Sequence, residues 1–203
     1  MKTKKNTVLK MSIVCSLLIL TSEASAAIVK YRLPLSSNPG ISAWYDHDAT
    51  AGKFKKYSCS TSGSYDGHEG TDFPTYLGRP IYSGAAGELY YRVNGCLNTK
   101  DARCGNGFGN HVRIKHLDGR VTIYAHMKKD SVVGLSSLLC SAKVGEVASS
   151  GKSDGNHLHF EMWSDKSKTS TIDPFAGGCS QSTSYWYKLN TSGLPTTSCQ
   201  PAL

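Results

Sequence analysis

The sequence lacks long hydrophobic runs and heptad repeats. The apolar stretch at residues 11–20 is about half as long as the roughly 20 residues that a membrane-spanning helix needs. No segment rich in alanine, glutamate, lysine and leucine keeps a seven-residue repeat. These absences exclude a multi-span membrane protein and a coiled coil. The length of 203 residues, with 39% hydrophobic and 19% charged residues, is typical of one globular domain with short appendages.

Sequence motifs of several enzyme and metal-binding classes are also missing. No C-x-x-C pair occurs, so a structural zinc knuckle is not indicated. The pair His68-Glu69 is followed by Gly-Thr-Asp and lacks the second histidine of an H-E-x-x-H zinc peptidase. Neither the P-C-x-x-C of nucleobase deaminases nor the G-x-S-x-G of serine hydrolases is found. A catalytic zinc site in this chain must therefore use another ligand pattern.

The N-terminal residues have the three-part layout of a secretory signal peptide. Four lysines lie in residues 1–10, the apolar stretch follows, and Ala24-Ser25-Ala26 forms a small-x-small cleavage site. We predict that residues 1–26 are a signal peptide and that the mature protein is exported, either secreted or periplasmic. Because the apolar stretch is too short to cross a bilayer, we expect no stable membrane anchor.

The mature chain carries only a mild positive charge. Residues 1–26 hold four lysines and one glutamate, so their removal lowers the formal net charge from +8 to +5. The basic residues are spread along the chain and do not form the clustered basic helix with interleaved aromatic residues that is typical of nucleic-acid binding. We therefore expect no nucleic acid partner. The charge suits either contact with an anionic cell wall polymer or solubility alone.

Six cysteines remain once Cys15 leaves with the signal peptide. An even number of cysteines in an exported chain indicates disulfides, which typically stabilise such a domain by about 2–4 kcal/mol each. The spacing does not fix the pairing by itself. We expect one bridge to close a short Gly- and Asn-containing segment, one to hold the C-terminal tail, and the third to follow by elimination: Cys96–Cys104, Cys179–Cys199 and Cys59–Cys140.

The turn-rich spacing, with 20 glycines, predicts a mainly β chain. Short runs of strand-forming residues alternate with turn residues and predict strands at 81–85, 87–93, 110–116, 121–127 and 158–163. Asp118-Gly119, between the third and fourth of these strands, predicts a hairpin. Alternation along strand 121–127 predicts a core face and a polar groove floor: Val121, Ile123, Ala125 and Met127 on the first, and Thr122, Tyr124 and His126 on the second.

Histidine and aspartate residues indicate a metal site. His68 and Asp72 are four residues apart and His157 and His159 are two apart, so each pair shares a face in an extended segment. Two imidazoles and one carboxylate are a usual zinc ligand set that leaves a position open for water. The spacing leaves open which histidine of the second pair binds the metal. The remaining histidines are interpreted as surface or satisfied polar residues: His47, His111 and His116.

Three segments around these residues resemble the successive motifs of the lysostaphin-type (M23) zinc metallopeptidases. They are residues 67–73 (GHEGTDF), 124–127 (YAHM) and 155–161 (GNHLHFE). The segment 109–116 (GNHVRIKH) is similar to the family's hairpin lead-in, and Asp173-Pro174 to its usual close. The motifs follow one another in the family's order and spacing over more than half of the mature chain.

The resemblance implies a fold, a metal and the roles of five residues. The fold is mainly β, with a compact antiparallel β-sheet core and a zinc-containing groove, and we expect it to be stapled by disulfides. One Zn²⁺ per chain is implied. By position, zinc binding falls to His68, Asp72 and His159, and catalysis to His157 and His126. Glu161 shares a predicted strand face with the second histidine pair and is either a contact of a metal ligand or an ordinary polar residue.

Four parts are predicted along the chain: a signal peptide at 1–26, an irregular lead-in at 27–58, a zinc metallopeptidase domain at 59–178, and a C-terminal tail packed on that domain at 179–203. The segment between Cys96 and Cys104 is not a general feature of the family. It either shapes the substrate groove or staples a loop.

The leading functional hypothesis is an exported zinc metalloendopeptidase that hydrolyses peptide bonds of bacterial peptidoglycan, in cross-links or stem peptides. Water activated by zinc, and deprotonated with help from His157, attacks the scissile carbonyl; His126 donates a hydrogen bond to the oxyanion or shares in proton transfer. Two alternatives stay open, namely a secreted protease acting on glycine-rich proteins and a non-catalytic wall-binding or activator protein. We expect a peptide substrate and a monomer.

Overall fold

The computed structural model describes residues 28–202, and the predicted signal peptide at residues 1–26 lies outside them. The described chain forms nine strands: β1 (Gly70–Pro74), β2 (Pro80–Tyr82), β3 (Gly87–Val93), β4 (Asn110–Lys115), β5 (Val121–Met127), β6 (Ser137–Leu138), β7 (Lys143–Glu146), β8 (His157–Trp163) and β9 (Thr171–Ile172). A short 3-10 helix, Cys104–Gly107, lies between β3 and β4. Within residues 28–202, no helix has the length and apolar character needed to cross a membrane.

Seven of the strands form one antiparallel sheet, and β2 and β7 form a separate pair. The order in the larger sheet is β1-β8-β5-β4-β3-β6, with β9 added to β8. The hairpin predicted at Asp118-Gly119 joins β4 and β5, and Gly119 has a φ of 86°, in the left-handed region that glycine adopts without steric cost. The predicted fold class, mainly β with an antiparallel sheet and disulfides, is confirmed.

The observed strand bounds agree with the predicted ones where polar and apolar residues alternate over a long run. The strands predicted at 87–93 and 121–127 have those bounds in β3 and β5. The strand predicted at 81–85 is shortened to β2, the strand predicted at 110–116 ends at Lys115, and β8 begins one residue early, at His157. The pattern does not predict β1, β6, β7 or β9, because these strands are short and form through pairing with distant partners.

The predicted assignment of the two faces of β5 is wrong. All seven of its residues are buried. Tyr124 packs against Phe160 in the main core, with ring centroids 5.4 Å apart, and full burial of such a side chain stabilises the fold by roughly 1.5–3 kcal/mol. The opposite face carries a second, smaller apolar cluster: Val121, Ile123, Ala125 and Trp163. Because both faces of the sheet are covered, alternation alone does not show which face belongs to the main core.

A β-bulge at His126 turns its side chain out of the main core. Asn110 pairs with Met127 and Val112 with Tyr124, so β5 has one more residue than β4 between these two pairs. His126 takes a φ of 57°, in the left-handed region. Met127 therefore packs in the main core beside Tyr124, and His126 lines the groove. The groove position of His126 results from the bulge, and it does not share a face with Tyr124.

The described chain contains three disulfides, of which one has the predicted pairing. The pair Cys96–Cys104 is confirmed. The predicted pairs Cys179–Cys199 and Cys59–Cys140 are wrong, and the bridges are Cys59–Cys179 and Cys140–Cys199. The backbone N–H of Cys179 donates to the carbonyl of Tyr57 at 2.9 Å, which places Cys179 beside Cys59. The tail crosses the sheet, with Trp186 buried, and thereby brings its last cysteine to Cys140.

The lead-in before the sheet packs on it without forming a regular strand. Tyr31, Leu33 and Leu35 are fully buried in the main core. Further along, Ala43 forms an isolated antiparallel bridge with Asp72 of β1, whose N–H donates to the Ala43 carbonyl at 2.9 Å. The lead-in therefore contacts the strand that carries a candidate metal ligand.

Candidate metal centre

The three predicted zinc ligands meet at the pairing of β1 with β8. Asp72 of β1 lies directly opposite His159 of β8, and His68 precedes β1 by two residues. All three are buried, with 3–8% of their surface exposed. Gly70 lies against His159: a Cβ at Gly70 would be 2.6 Å from Cε1 of His159. A glycine at position 70 therefore makes the room in which the imidazole of His159 reaches Asp72.

The ligating atoms of these side chains have the spacing of a tetrahedral metal site. Oδ1 of Asp72 lies 3.2 Å from Nε2 of His68 and 2.8 Å from Nδ1 of His159, and the two nitrogens are 3.2 Å apart. Two ligand atoms that each lie about 2.1 Å from a tetrahedral zinc ion are about 3.4 Å apart. The set of two imidazole nitrogens and one carboxylate oxygen, already this close together, fits zinc in both chemistry and spacing.

Each of the two imidazoles is hydrogen-bonded through the ring nitrogen that faces away from the other ligand atoms. This hydrogen bond selects the neutral tautomer whose lone pair faces the ligand atoms. Nδ1 of His68 lies 2.8 Å from the carbonyl oxygen of Trp44, and Nε2 of His159 lies 3.2 Å from a carboxylate oxygen of Glu161. Both partners are acceptors, so these nitrogens carry the hydrogens of the neutral rings. In the neutral state of both rings, two nitrogen lone pairs and the oxygen of Asp72 converge on one point, an arrangement that either a bound proton or a metal cation stabilises.

The electrostatics of the cluster also favour a positive charge. Burial by itself lowers the pKa of His159, but the carboxylates of Asp72 and Glu161 outweigh burial and raise this pKa to about 10. Burial by itself raises the pKa of Asp72, but the hydrogen bonds from His159 and His68 outweigh burial and hold that pKa well below its usual range. The same field that favours a proton on His159 favours a metal cation bound in its place.

The two predicted catalytic histidines lie beside this cluster. Nε2 of His157 is 3.7 Å from Oδ1 of Asp72, and the rings of His157 and His126 have centroids 4.8 Å apart. Each ring donates Nδ1–H to a backbone carbonyl, His157 to Gly155 at 2.9 Å and His126 to Ser150 at 2.8 Å. Each ring is therefore held to the backbone through Nδ1, which leaves Nε2 available to a molecule in the groove. The structure brings all five predicted site residues together around one groove.

The neutral state of His126 follows from its surroundings. Burial, followed by repulsion from the nearby His159 and His157, lowers the pKa of His126 to about 3. His126 is therefore unprotonated at neutral pH and is a proton acceptor in its resting state. A hydrogen bond from its Nε2 to an oxyanion requires that this nitrogen first takes up a proton.

The groove is open, has a volume of about 570 Å³, and has one wall that the motifs do not predict. This wall contains the disulfide-closed segment Cys96–Cys104 with the residues that follow it, and the loop before β8. Asp101 donates its N–H to Gly151 at 2.8 Å, and Lys152 donates its N–H to Gly107 at 2.7 Å, so the two segments pair through their backbones. The alternative in which the Cys96–Cys104 segment shapes the groove is thus supported, since Lys100 of this segment lines the groove, together with Asn106 and Phe108 just after it.

Glu161 contacts a candidate ligand, in agreement with the first of its two interpretations. It is 2% exposed and accepts hydrogen bonds from Nε2 of His159 at 3.2 Å and from Nε1 of Trp163 at 2.5 Å. The ammonium of Lys168 lies 3.4 Å from Glu161 and 2.7 Å from Glu69. Glu161 is thus a buried, hydrogen-bonded carboxylate behind the metal cluster. Glu69 points towards Lys168 at the rim of the groove.

The other histidines are hydrogen-bonded polar residues, and two of them are not on the surface. His116 is 2% exposed and its ring nitrogens contact the Ala86 carbonyl and the Thr122 hydroxyl, both at 2.8 Å. His111 is fully buried and donates Nδ1–H to the carbonyl of Gly109 at 2.9 Å. Both residues are therefore buried polar groups and not surface residues. The two ring nitrogens of His116 are satisfied, whereas Nε2 of His111 has no hydrogen-bond partner among the described residues. His47 is partly exposed and pairs with Asp173 at 2.8 Å.

Comparison with known proteins gives the family of this chain. The sequence model of Peptidase family M23 matches residues 66–174, the segment that holds all five site residues. The chain is 33% identical over 94 residues to the DD-carboxypeptidase/endopeptidase Mpg of Neisseria meningitidis serogroup B, covering 46% of this chain and 19% of that protein. It is 28% identical over 95 residues to the peptidoglycan DD-endopeptidase ShyA of Vibrio cholerae, covering 47% and 20%.

These matches span about a fifth of the length of the curated relatives. Among solved structures, a chain of the SpoIIIAH and SpoIIQ complex superposes with a TM-score of 0.51 at 17% identity, over 71% of this chain and 97% of that chain, which is a likeness of fold alone. The family match covers more than half of the 203 residues. The chain belongs to Peptidase family M23.

Proposed function

We propose that this chain is an exported zinc metalloendopeptidase that cleaves peptide bonds of bacterial peptidoglycan. The observation that carries the proposal is the convergence of two imidazole nitrogens and one carboxylate oxygen, 2.8–3.2 Å apart, beside two further imidazoles that line the same groove. Such a site suits hydrolysis, because it combines a metal ligand set with proton acceptors in one open groove.

His68, Asp72 and His159 would hold the zinc ion. A zinc ion bound there supplies Lewis acidity, which lowers the pKa of water towards about 7 and polarises a carbonyl. The chain itself contributes the orientation of the ligands. Trp44 and Glu161 fix the imidazole tautomers from behind, so the ligating nitrogens need no rearrangement when the ion binds.

His157 and His126 would move the protons of the reaction. The attacking water gives a proton to Nε2 of His157, its oxygen bonds to the carbonyl carbon, and the developing oxyanion accepts a hydrogen bond from the His157 imidazolium formed in this step. The C–N bond then breaks, and the leaving amine nitrogen takes that same proton from His157. His126 would share in this proton transfer through its Nε2, because its Nδ1–H is already donated to Ser150.

Peptidoglycan is the proposed substrate for two reasons. The names of two relatives describe DD-endopeptidase activity, one of them on peptidoglycan. Residues 1–26 also predict export, and disulfides are typical of exported proteins, so the chain would meet a cell wall and its positive charge would favour an anionic polymer. The catalytic interpretation is favoured over a binding role because both candidate proton acceptors lie at the metal cluster.

Cleavage of defined substrates tests this function. The purified protein is incubated with peptidoglycan of several wall types and with a glycine-rich protein, with and without a chelator, and the fragments are identified by mass spectrometry. New amino termini within wall peptides, absent with the chelator and absent for a His159→Ala variant, are expected. Cleavage of the protein substrate alone would move the function to a secreted protease, and zinc binding without any cleavage would favour the non-catalytic alternative.

A further inference from the structure

Two polar side chains, Asn110 and Ser150, are buried beside the bulge at His126. Both are fully buried, and neither contacts a proposed zinc ligand. A polar group buried in this way is unfavourable unless its hydrogen bonds are made, so the partners of these side chains show what they stabilise.

The amide of Asn110 uses all its hydrogen-bonding groups within the chain. Its Nδ2 donates to the carbonyls of Met127 at 3.0 Å and Cys96 at 2.8 Å, and its Oδ1 accepts from the backbone N–H of Cys96 at 2.8 Å. One side chain therefore joins the start of the disulfide-closed segment to the residue that follows His126. The residues that follow this segment also contact the bulge directly, because the N–H of His126 donates to the carbonyl of Phe108 at 2.9 Å.

Ser150 acts on both the backbone and the side chain of the bulge. Its hydroxyl donates to the carbonyl of Met127 at 2.7 Å and accepts from the backbone N–H of Asn110 at 2.9 Å. Its own carbonyl accepts Nδ1–H of His126 at 2.8 Å. The same residue thus fixes the main chain after His126 and the tautomer of the His126 ring.

The carbonyl of Ser150 cannot move away from His126 without moving its neighbours. A Cβ at Gly109 would lie 2.4 Å from Ser150, and a Cβ at Gly151 would lie 2.3 Å from the nitrogen of Gly109. The two backbone segments are therefore in direct contact, with glycine at each crossing point. This contact holds the acceptor for the His126 ring at a fixed place.

His126 needs such support because its backbone is unusual for a residue with a side chain. A φ of 57° lies in the left-handed region, which non-glycine residues keep only where surrounding contacts stabilise it. We propose that Asn110 and Ser150 are positioning residues that hold the bulge at His126 and aim its Nε2 into the groove. The role of His126 in this inference rests on the proposed function, whereas its conformation does not.

The imidazole nitrogens of His126 report on this role without any assay of activity. In the purified protein, ¹⁵N NMR is expected to show His126 as the Nδ1–H tautomer, with the signal assigned by its loss in His126→Ala. In Asn110→Ala and in Ser150→Ala, the signal should move towards a mixture of the two tautomers. Ser150→Ala removes a single hydroxyl, so it keeps the test available if Asn110→Ala does not fold. Asn94→Ala is the matched control, because Asn94 also bonds a backbone group, the N–H of Val132 at 3.1 Å.

A double-mutant cycle separates positioning from general damage. Asn110→Ala should lower kcat by about 100-fold with little change in KM, as expected for a misplaced reacting group. In the His126→Ala background, the same change should lower kcat no further. An equal loss of kcat in both backgrounds, or a His126 signal unchanged in both variants, would overturn the inference. If the wild-type protein cleaves no peptide, the proposed function fails, and the NMR result alone decides whether the positioning role stands.

Discussion

The imidazole of His159 is held between two carboxylates, with Nδ1 at 2.8 Å from Asp72 and Nε2 at 3.2 Å from Glu161. Asp72 belongs to the candidate metal ligands, whereas Glu161 lies behind them and is 2% exposed. A carboxylate in that position orients the ring and increases the basicity of the ligating nitrogen. Glu161 therefore belongs to the metal centre although it provides no ligand atom.

Replacement of this carboxylate tests its contribution. Glu161→Gln keeps the shape of the side chain but removes its charge, so we expect the dissociation constant for zinc to rise by about 10- to 100-fold. Competition with a chromophoric chelator measures the constant. Glu88→Gln, at an exposed position of β3, is the control and should bind zinc as the wild type does. Equal zinc affinity in Glu161→Gln and wild type would show that the ring needs no such partner.

The two histidines of β8 are expected to differ in what they do. His159→Ala removes a ligand atom and should abolish both zinc retention and activity. His157→Ala should abolish activity and leave most of the zinc, because its Nε2 lies 3.7 Å from Asp72 and outside the ligand set. Metal content by mass spectrometry, measured beside activity, separates the two results. A zinc content equal to that of wild type in the His159 variant would contradict the ligand assignment.

The stability of the fold is expected to fall in mild acid because of the buried histidines of β4 and the turn after it. Burial lowers the pKa values of His111 and His116 to about 4, below the usual histidine pKa of 6.5. The stability that their neutral forms provide is complete above pH 6.5 and decreases as the pH falls from 6.5 towards 4, by up to roughly 3 kcal/mol for each residue.

Urea unfolding at a pH of about 7.5 and of about 5 measures this change. His116→Ala should be less stable at the higher pH by about 1–3 kcal/mol, because the Thr122 hydroxyl and the Ala86 carbonyl lose their partner. The free energy of unfolding of His116→Ala should also differ less between the two pH values than that of the wild type. A wild-type free energy of unfolding that is the same at both values would refute the effect.

The disulfides should differ in their effects on stability and on activity. Loop closure predicts that loss of Cys59–Cys179, which spans 120 residues, costs about 5 kcal/mol, whereas loss of Cys96–Cys104, which spans 8 residues, costs about 2.5 kcal/mol. The shorter bridge closes a wall of the groove, so its paired Cys→Ser variant should lose more activity despite its smaller destabilisation. Urea unfolding and peptide cleavage of both paired variants provide the comparison, and the reverse order of activity loss would count against the groove role.

The sequence predicts which residues meet at the groove, because these spacings act locally; the roles of the residues stay predictions. The separation of His157 and His159 by two residues and of His68 and Asp72 by four fixes a shared side in extended chain, whatever the rest of the fold. His126 is different, because its side of the sheet depends on a bulge that forms only against β4. The alternation of polar and apolar residues in strand 121–127 gives no sign that this strand has one more residue than β4 at the bulge.

The disulfide pairing and the groove wall depend on the path of the chain in three dimensions. Proximity in sequence favours Cys179 with Cys199, but the backbone of Cys179 is held by Tyr57 from the lead-in. The burial of His116 is likewise not evident from its charged neighbours, since its ring packs against the lead-in residue Tyr31, with ring centroids 4.9 Å apart. These features follow from contacts between segments far apart in sequence.

The hydrogen bond from His68 to Trp44 shows that the segment matched by the family is shorter than the segment that supports the candidate site. The segment shared with the peptidase family begins at residue 66, yet the carbonyl that sets the tautomer of its first histidine lies 24 residues before that histidine. Asp173, near the end of the shared segment, likewise depends on His47. An isolated fragment of residues 66–174 would carry every motif of the family and lack the acceptor for Nδ1 of His68. We therefore expect the smallest segment that folds with an intact candidate site to include the lead-in, which lies outside the match to the family.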